Sequence, residues 1–190
     1  MSITAAIICA VVYAVINWLD PYTLSWQCLN RPIVVAPLVG LLLGDFQTGI
    51  IMGASLEAIF MGISAVGGSI PSDCLSGSII AVAYTIVVGG DGAMETGLAL
   101  SLTIGTVMST INTMLMPLWA GLAPYWERLA SECKPNKFRA ISMVVNFIAC
   151  LPGAAIIFLG VAFGIEGLQA GLAACCLLYT SPSPRDGLLS

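Results

Sequence analysis

The run ISMVVNFIACLPGAAIIFLGVAFG, residues 141 to 164, contains no charged side chain. A helix of that length rises about 36 Å, and the hydrocarbon core of a bilayer is roughly 30 Å thick. Thr96 to Leu122 is a second full-length uncharged run, and Pro117 within it predicts a kink or an early end. Two such runs in one chain point to a polytopic membrane protein. Ile3 to Leu19 is read as a further, retained membrane segment, because no positive flank or Ala-x-Ala cleavage site accompanies it.

Composition supports the same class. Apolar residues make up 58% of the 190-residue chain, charged residues 8%, and mean hydropathy is +0.99. Soluble domains carry about a quarter charged residues, so this chain has too few charges to cover a surface in water. A net charge of −4 argues against nucleic acid as a partner. The chain has no histidine, no Gly-x-Ser-x-Gly elbow and no phosphate-binding loop with lysine, so no catalytic residue, metal or cofactor is expected. The 7 cysteines lie mostly in apolar runs and read as small buried hydrophobes.

The remaining apolar runs are short. Pro32 to Leu43 ends at Gly44-Asp45, Thr48 to Val66 contains Glu57, and Leu75 to Val88 ends at a glycine-rich turn. Gly67 to Asp73 cannot continue a regular helix. The expected fold is therefore all-α: a polytopic transmembrane helix bundle with short, broken or re-entrant helices. Gly-Asp turns open two of the runs, at Gly44-Asp45 and Gly90-Asp91, a weak echo that two independent turns would also produce. Residues 125–139 read as a charged loop, with Arg128, Lys134, Lys137 and Arg139 against Glu127 and Glu132. Basic loops favour the cytoplasmic side. Trp18, Trp26, Trp119 and Trp126 sit near the ends of apolar runs, the position of an aromatic belt. Residues 1–177 read as one membrane domain that is expected to continue differently beyond its end. Residues 178–190 change abruptly to a Ser/Pro-rich string, read as a non-native or disordered tail.

Glu57 is the most informative residue. A carboxylate at the centre of a span costs about 2.5–3.5 kcal/mol on insertion scales, so it is expected to face protein, water or ligand. Gly49 and Gly53 precede it on the same helical face, where they would let a neighbouring backbone approach. Lipid would not satisfy that face, which predicts a partner subunit against it. Asp73 follows the broken stretch and either lines a cavity or is solvated in a loop. Asp45 is suited to capping the helix that begins near Thr48. Gln27 and Arg31, with Asn30, carry the paired donors and acceptors that suit sugar hydroxyls, and they suit ordinary interface positions equally.

These residues also carry a family resemblance. The chain reads Arg31-Pro32, then Leu38-Val39-Gly40 leading to Gly44-Asp45, then Thr48-Gly49-Ile50 and Leu56-Glu57. This pattern resembles the IIC subunit of the mannose/fructose/sorbose-type bacterial phosphotransferase system, from the N-terminus to about residue 177. Members often place a histidine before Arg-Pro where this chain has Asn30, so no side-chain role is carried over there. The resemblance implies a non-enzymatic sugar permease subunit of the bacterial cytoplasmic membrane. Its implied partners are a IID membrane subunit, cytoplasmic IIA and IIB subunits and the sugar itself, in a complex where the subunit is a homo-oligomer. It implies that Glu57 and Asp73 lie near the sugar, with Gln27 and Arg31 at the rim. The residues alone leave open an ion- or proton-coupled transporter with Glu57 as coupling carboxylate, and a non-transporting membrane scaffold or peptide receptor.

Overall fold

The computed structural model describes residues 3–19, 29–63, 72–90, 92–131 and 135–162. These form helices and turns only: α1 (Ile3–Leu19), α2 (Pro32–Leu43), α3 (Phe46–Phe60), α4 (Cys74–Val88), α5 (Ala93–Ala120), α6 (Ala123–Ser131) and α7 (Pro135–Ala162). Gln27, the stretch Gly67 to Pro71, Asp91, Lys134 and the tail 178–190 lie outside the described residues.

The centre of the fold is α4. Every residue from Leu75 to Thr85 is buried. A helix without a polar face must be covered all round, and α4 packs against α1, α2, α3, α5 and α7. Its hydroxyls are satisfied locally: Ser78 donates to the Cys74 carbonyl at 2.6 Å and Thr85 to the Ala81 carbonyl at 2.9 Å. With 15 residues it is about 22 Å long, too short to cross a bilayer core alone. The long helices are α5 and α7, each of 28 residues and apolar enough to cross a membrane. Their outer faces carry exposed large apolar side chains such as Val107, Met114, Phe147 and Leu159.

Two antiparallel hairpins surround this centre. In the first, α2 runs back along α3. Gly44 ends α2 with φ 93°, a left-handed conformation that favours glycine, and Asp45 caps α3 by accepting from the Thr48 amide at 3.1 Å. A Cβ on Gly49 would lie 2.7 Å from the Ala36 carbonyl oxygen, and one on Gly53 would lie 3.1 Å from Ala36 Cβ. The face of Gly49 and Gly53 is thus covered by α2 of the same chain. The sequence-based expectation of another subunit there is corrected, because the four-residue glycine spacing meets a neighbour only one turn away in sequence. In the second hairpin α5 runs back along α4. Gly77 faces Ser101, Gly97 faces Ala81 and Thr85, and Gly105 faces Ser72 and Asp73. The Asp73 amide donates to the Gly105 carbonyl at 2.9 Å. α1 and α7 pair through Tyr13 against Gly153, and through the Trp18 indole donating to the Met143 carbonyl at 3.3 Å.

Residues 125–139 are mostly helical rather than a loop. Pro124 and Pro135 sit in the first turns of α6 and α7, where a missing N–H removes no helical bond. Leu122, Trp126 and Leu129 recur at helical spacing, which organises the charges around a small apolar stripe. Pro117 lies in the last turn of α5, and its carbonyl accepts from the Gly121 amide at 3.2 Å where the helix stops.

Candidate functional site

Glu57 stands in the last turn of α3, beside the first turn of α2. Its Oε1 lies 3.4 Å from Arg31 Nε, and the Ile33 amide donates to its Oε2 at 3.4 Å. Ile33 is in the first turn of α2, whose amides have no helical partner and carry the positive end of the helix dipole. Both contacts are longer than the usual 2.7–3.2 Å of a strong bond, so the carboxylate keeps acceptor capacity. The Arg31 side chain is 47% exposed and that of Glu57 16%. An ion pair with one partner this exposed contributes about 0–1 kcal/mol.

Asp73 caps α4. Its Oδ1 accepts from the Leu75 amide at 3.2 Å and its Oδ2 from the Ser76 hydroxyl at 2.5 Å. Asp73 is half-buried and engaged as a helix cap, so it is not merely solvated in a loop. Cys74, next to Asp73, donates to the carbonyl of Asn30, the residue before Arg31, at 3.4 Å. The fold therefore brings Arg31, Glu57 and Asp73 to one end of the molecule, where the first turns of α2 and α4 meet the last turn of α3. Asp45 lies at the other end of α2, in an exposed turn. The Thr48 hydroxyl at 2.6 Å and the Thr48 amide hold its carboxyl below the ordinary carboxylate range. It takes no part in the cluster.

Three polar residues beside Asp73 escaped the sequence reading. Asn112 of α5 and Asn17 of α1 lie beside the Tyr13 hydroxyl. The available signal was Tyr13 and Asn17, one turn apart inside an apolar run, since polar groups in spans turn inward. Ser72, next to Asp73, has a buried hydroxyl with no partner among the described residues.

Capping explains part of what Asp73 does and is testable alone. Asp73→Ala should destabilise the protein by about 0.5–2 kcal/mol, while Asp73→Asn keeps the cap and should cost little. Thermal unfolding of the purified variants measures both. Equal losses in the two would show that charge, and not capping, governs the site's stability.

The fold is an all-helical bundle with two helices apolar and long enough to cross a membrane, built around short paired helices. By its match over residues 3–179 to the family described as the sorbose-specific IIC component of the phosphotransferase system, the chain belongs to that family. The mannose-specific EIIC component of Escherichia coli (strain K12) is 35% identical over 85 residues, 43% of this chain and 31% of that protein. The sorbose-specific EIIC component of Klebsiella pneumoniae is 26% identical over 162 residues, 85% of this chain and 54% of that protein. The aligned parts thus span about half or less of these two relatives. The fold is similar to a chain in the cryoEM structure of the mannose transporter ManYZ with microcin E492, with TM-score 0.68 and 17% identity. That similarity covers 97% of this chain and 82% of the other.

Proposed function

We propose that this chain is the sugar-translocating IIC subunit of a phosphoenolpyruvate-dependent phosphotransferase system. It works in the bacterial cytoplasmic membrane with a IID membrane subunit, and cytoplasmic IIA and IIB subunits deliver phosphate to the incoming sugar. Family membership supports the class, and the names of the relatives supply mannose and sorbose as candidate hexoses. The basic residues Arg128, Lys137 and Arg139 would face the cytoplasm.

The observation that carries the site is the half-open Arg31–Glu57 pair. The structure sets Glu57 in the last turn of α3 rather than at the centre of a span, and the pair contributes about 0–1 kcal/mol. Ion pairing alone therefore gives no reason to keep Glu57. A sugar hydroxyl that accepts from Arg31 while another donates to Glu57 would fill the capacity left by the two 3.4 Å contacts. Asp73 would accept from a further hydroxyl or hold the start of α4 in place for it, and Gln27 remains a candidate at the rim.

Uptake measured in cells carrying the chain with its IID, IIA and IIB partners tests the class. Sugar should enter as its phosphate ester, should require phosphoenolpyruvate, and should persist when a protonophore collapses the proton gradient. Unmodified sugar whose entry stops with the protonophore would establish the proton-coupled alternative.

A further inference from the structure

The end of α5, α6 and the start of α7 line a half-open cavity of about 470 Å³, remote in the chain from Arg31 and Glu57. Its α7 wall is one helical face, from Phe138 through Ser142 to Asn146. Trp119 and Trp126 form the opposite side, and the Trp126 ring meets Phe138 edge-on with centroids 5.2 Å apart. Leu122 and Val145 make the slot between them apolar.

Two features are unexplained by packing. The Asn146 Nδ2 is buried and has no acceptor among the described residues. A buried donor without a partner costs free energy, and a ligand acceptor would recover it. Arg139 lies on the Asn146 side of the cavity face, is exposed, and pairs with no carboxylate among the described residues, where the one ion pair is Arg31–Glu57, while Lys137 is about 200° round α7 from Arg139 and turned away. Arg128 and Glu127 lie on α6, and Arg128 is about 200° round the helix from Trp126, so it is turned away from the cavity.

We propose that this cavity binds an anionic phospholipid. The phosphate would sit against Arg139, an ester carbonyl would accept from Asn146, and the first part of an acyl chain would lie along Leu122 and Val145. The position agrees with this chemistry. The cavity lies where a bilayer-length helix ends and the next begins, and tryptophans mark the membrane–water interface. The basic residue beside it is the kind that attracts anionic lipid headgroups. The volume suits a headgroup with its glycerol backbone.

Native mass spectrometry of the full chain, purified with its IID-type partner, tests the proposal. The complex is taken from nanodiscs of phosphatidylcholine with or without phosphatidylglycerol. Phosphatidylglycerol should be retained in preference to phosphatidylcholine. Arg139→Gln should lower that retention about fivefold, as loss of one basic contact with an anionic lipid implies, and Lys137→Gln should leave it unchanged. Asn146→Leu fills the slot, removes the donor and should reduce retention further. The two glutamine variants lie on the surface and keep the test valid if Asn146→Leu does not fold. Glycerol 1-phosphate added in excess should fail to displace the lipid. Equal retention of both lipids, retention indifferent to Arg139, or displacement by glycerol 1-phosphate alone would overturn the proposal. The first two outcomes would leave the cavity to a protein segment, and the third to a free phosphate ester.

Discussion

Gly77→Ala is expected to be among the most damaging single substitutions in the chain. An added Cβ would lie 2.5 Å from the Ser101 carbonyl oxygen, in the hairpin that holds α5 on α4. Alanine favours an isolated helix over glycine by about 0.5–1 kcal/mol. Overpacking in a rigid core costs about 1–3 kcal/mol. Here the obstructing atom is backbone, so relief requires α5 to move and disturbs the Asp73–Gly105 bond further along the same pairing. The clash should win, with a net loss of about 2 kcal/mol. Gly160→Ala is the matched control. Its Cβ would meet Ile80 Cδ1 at 3.6 Å, an ordinary contact, so stability should be unchanged or slightly raised. Thermal unfolding of the two variants side by side gives the sign. A Gly77→Ala protein as stable as Gly160→Ala would show that the α4–α5 packing is looser than described.

Much of the fold was legible because punctuation and periodicity agreed. Arg31-Pro32 opens α2 and Gly44-Asp45 closes it, so the expected run and the observed helix share both ends. The chain also announced that Asp45 would cap a helix, since an aspartate three residues before Thr48 has an obvious use. Asp73 was harder. Its local pattern with Ser76 fits a cap, while its burial depends on α5 crossing at Gly105, a contact distant in sequence. For the same reason the glycine face of α3 was legible as a close-packing face, yet its occupant was not. Periodicity within a helix specifies which side is buried and leaves the neighbour unspecified. Residues 125–139 misled in the opposite way. Their charge density resembled a loop, while Pro124 and Pro135 marked the starts of two helices. The grouping of Tyr13, Asn17 and Asn112 joins α1 to α5, and no short-range pattern encodes it.

The site itself rests on Glu57, and Glu57→Gln changes its chemistry with little change of shape. Glutamine keeps a carbonyl oxygen that can accept from the Ile33 amide, so the junction of α2 and α3 should hold. It loses the charge that draws Arg31 and that makes bonds from sugar hydroxyls about twice as strong as neutral ones. A hydrogen bond to a charged group is worth about 1.5–3 kcal/mol, so sugar affinity should fall roughly 10- to 150-fold. The exposed ion pair contributes so little that its loss should leave assembly intact. A purely structural Glu57 predicts the reverse, a lower yield of assembled complex with affinity near wild type in what survives. The deciding measurement is equilibrium sugar binding to the purified, assembled Glu57→Gln complex beside the wild type. A clear loss of affinity at undiminished assembly is the predicted result, and unchanged affinity in the assembled variant would contradict the placement of sugar at the Arg31–Glu57 pair.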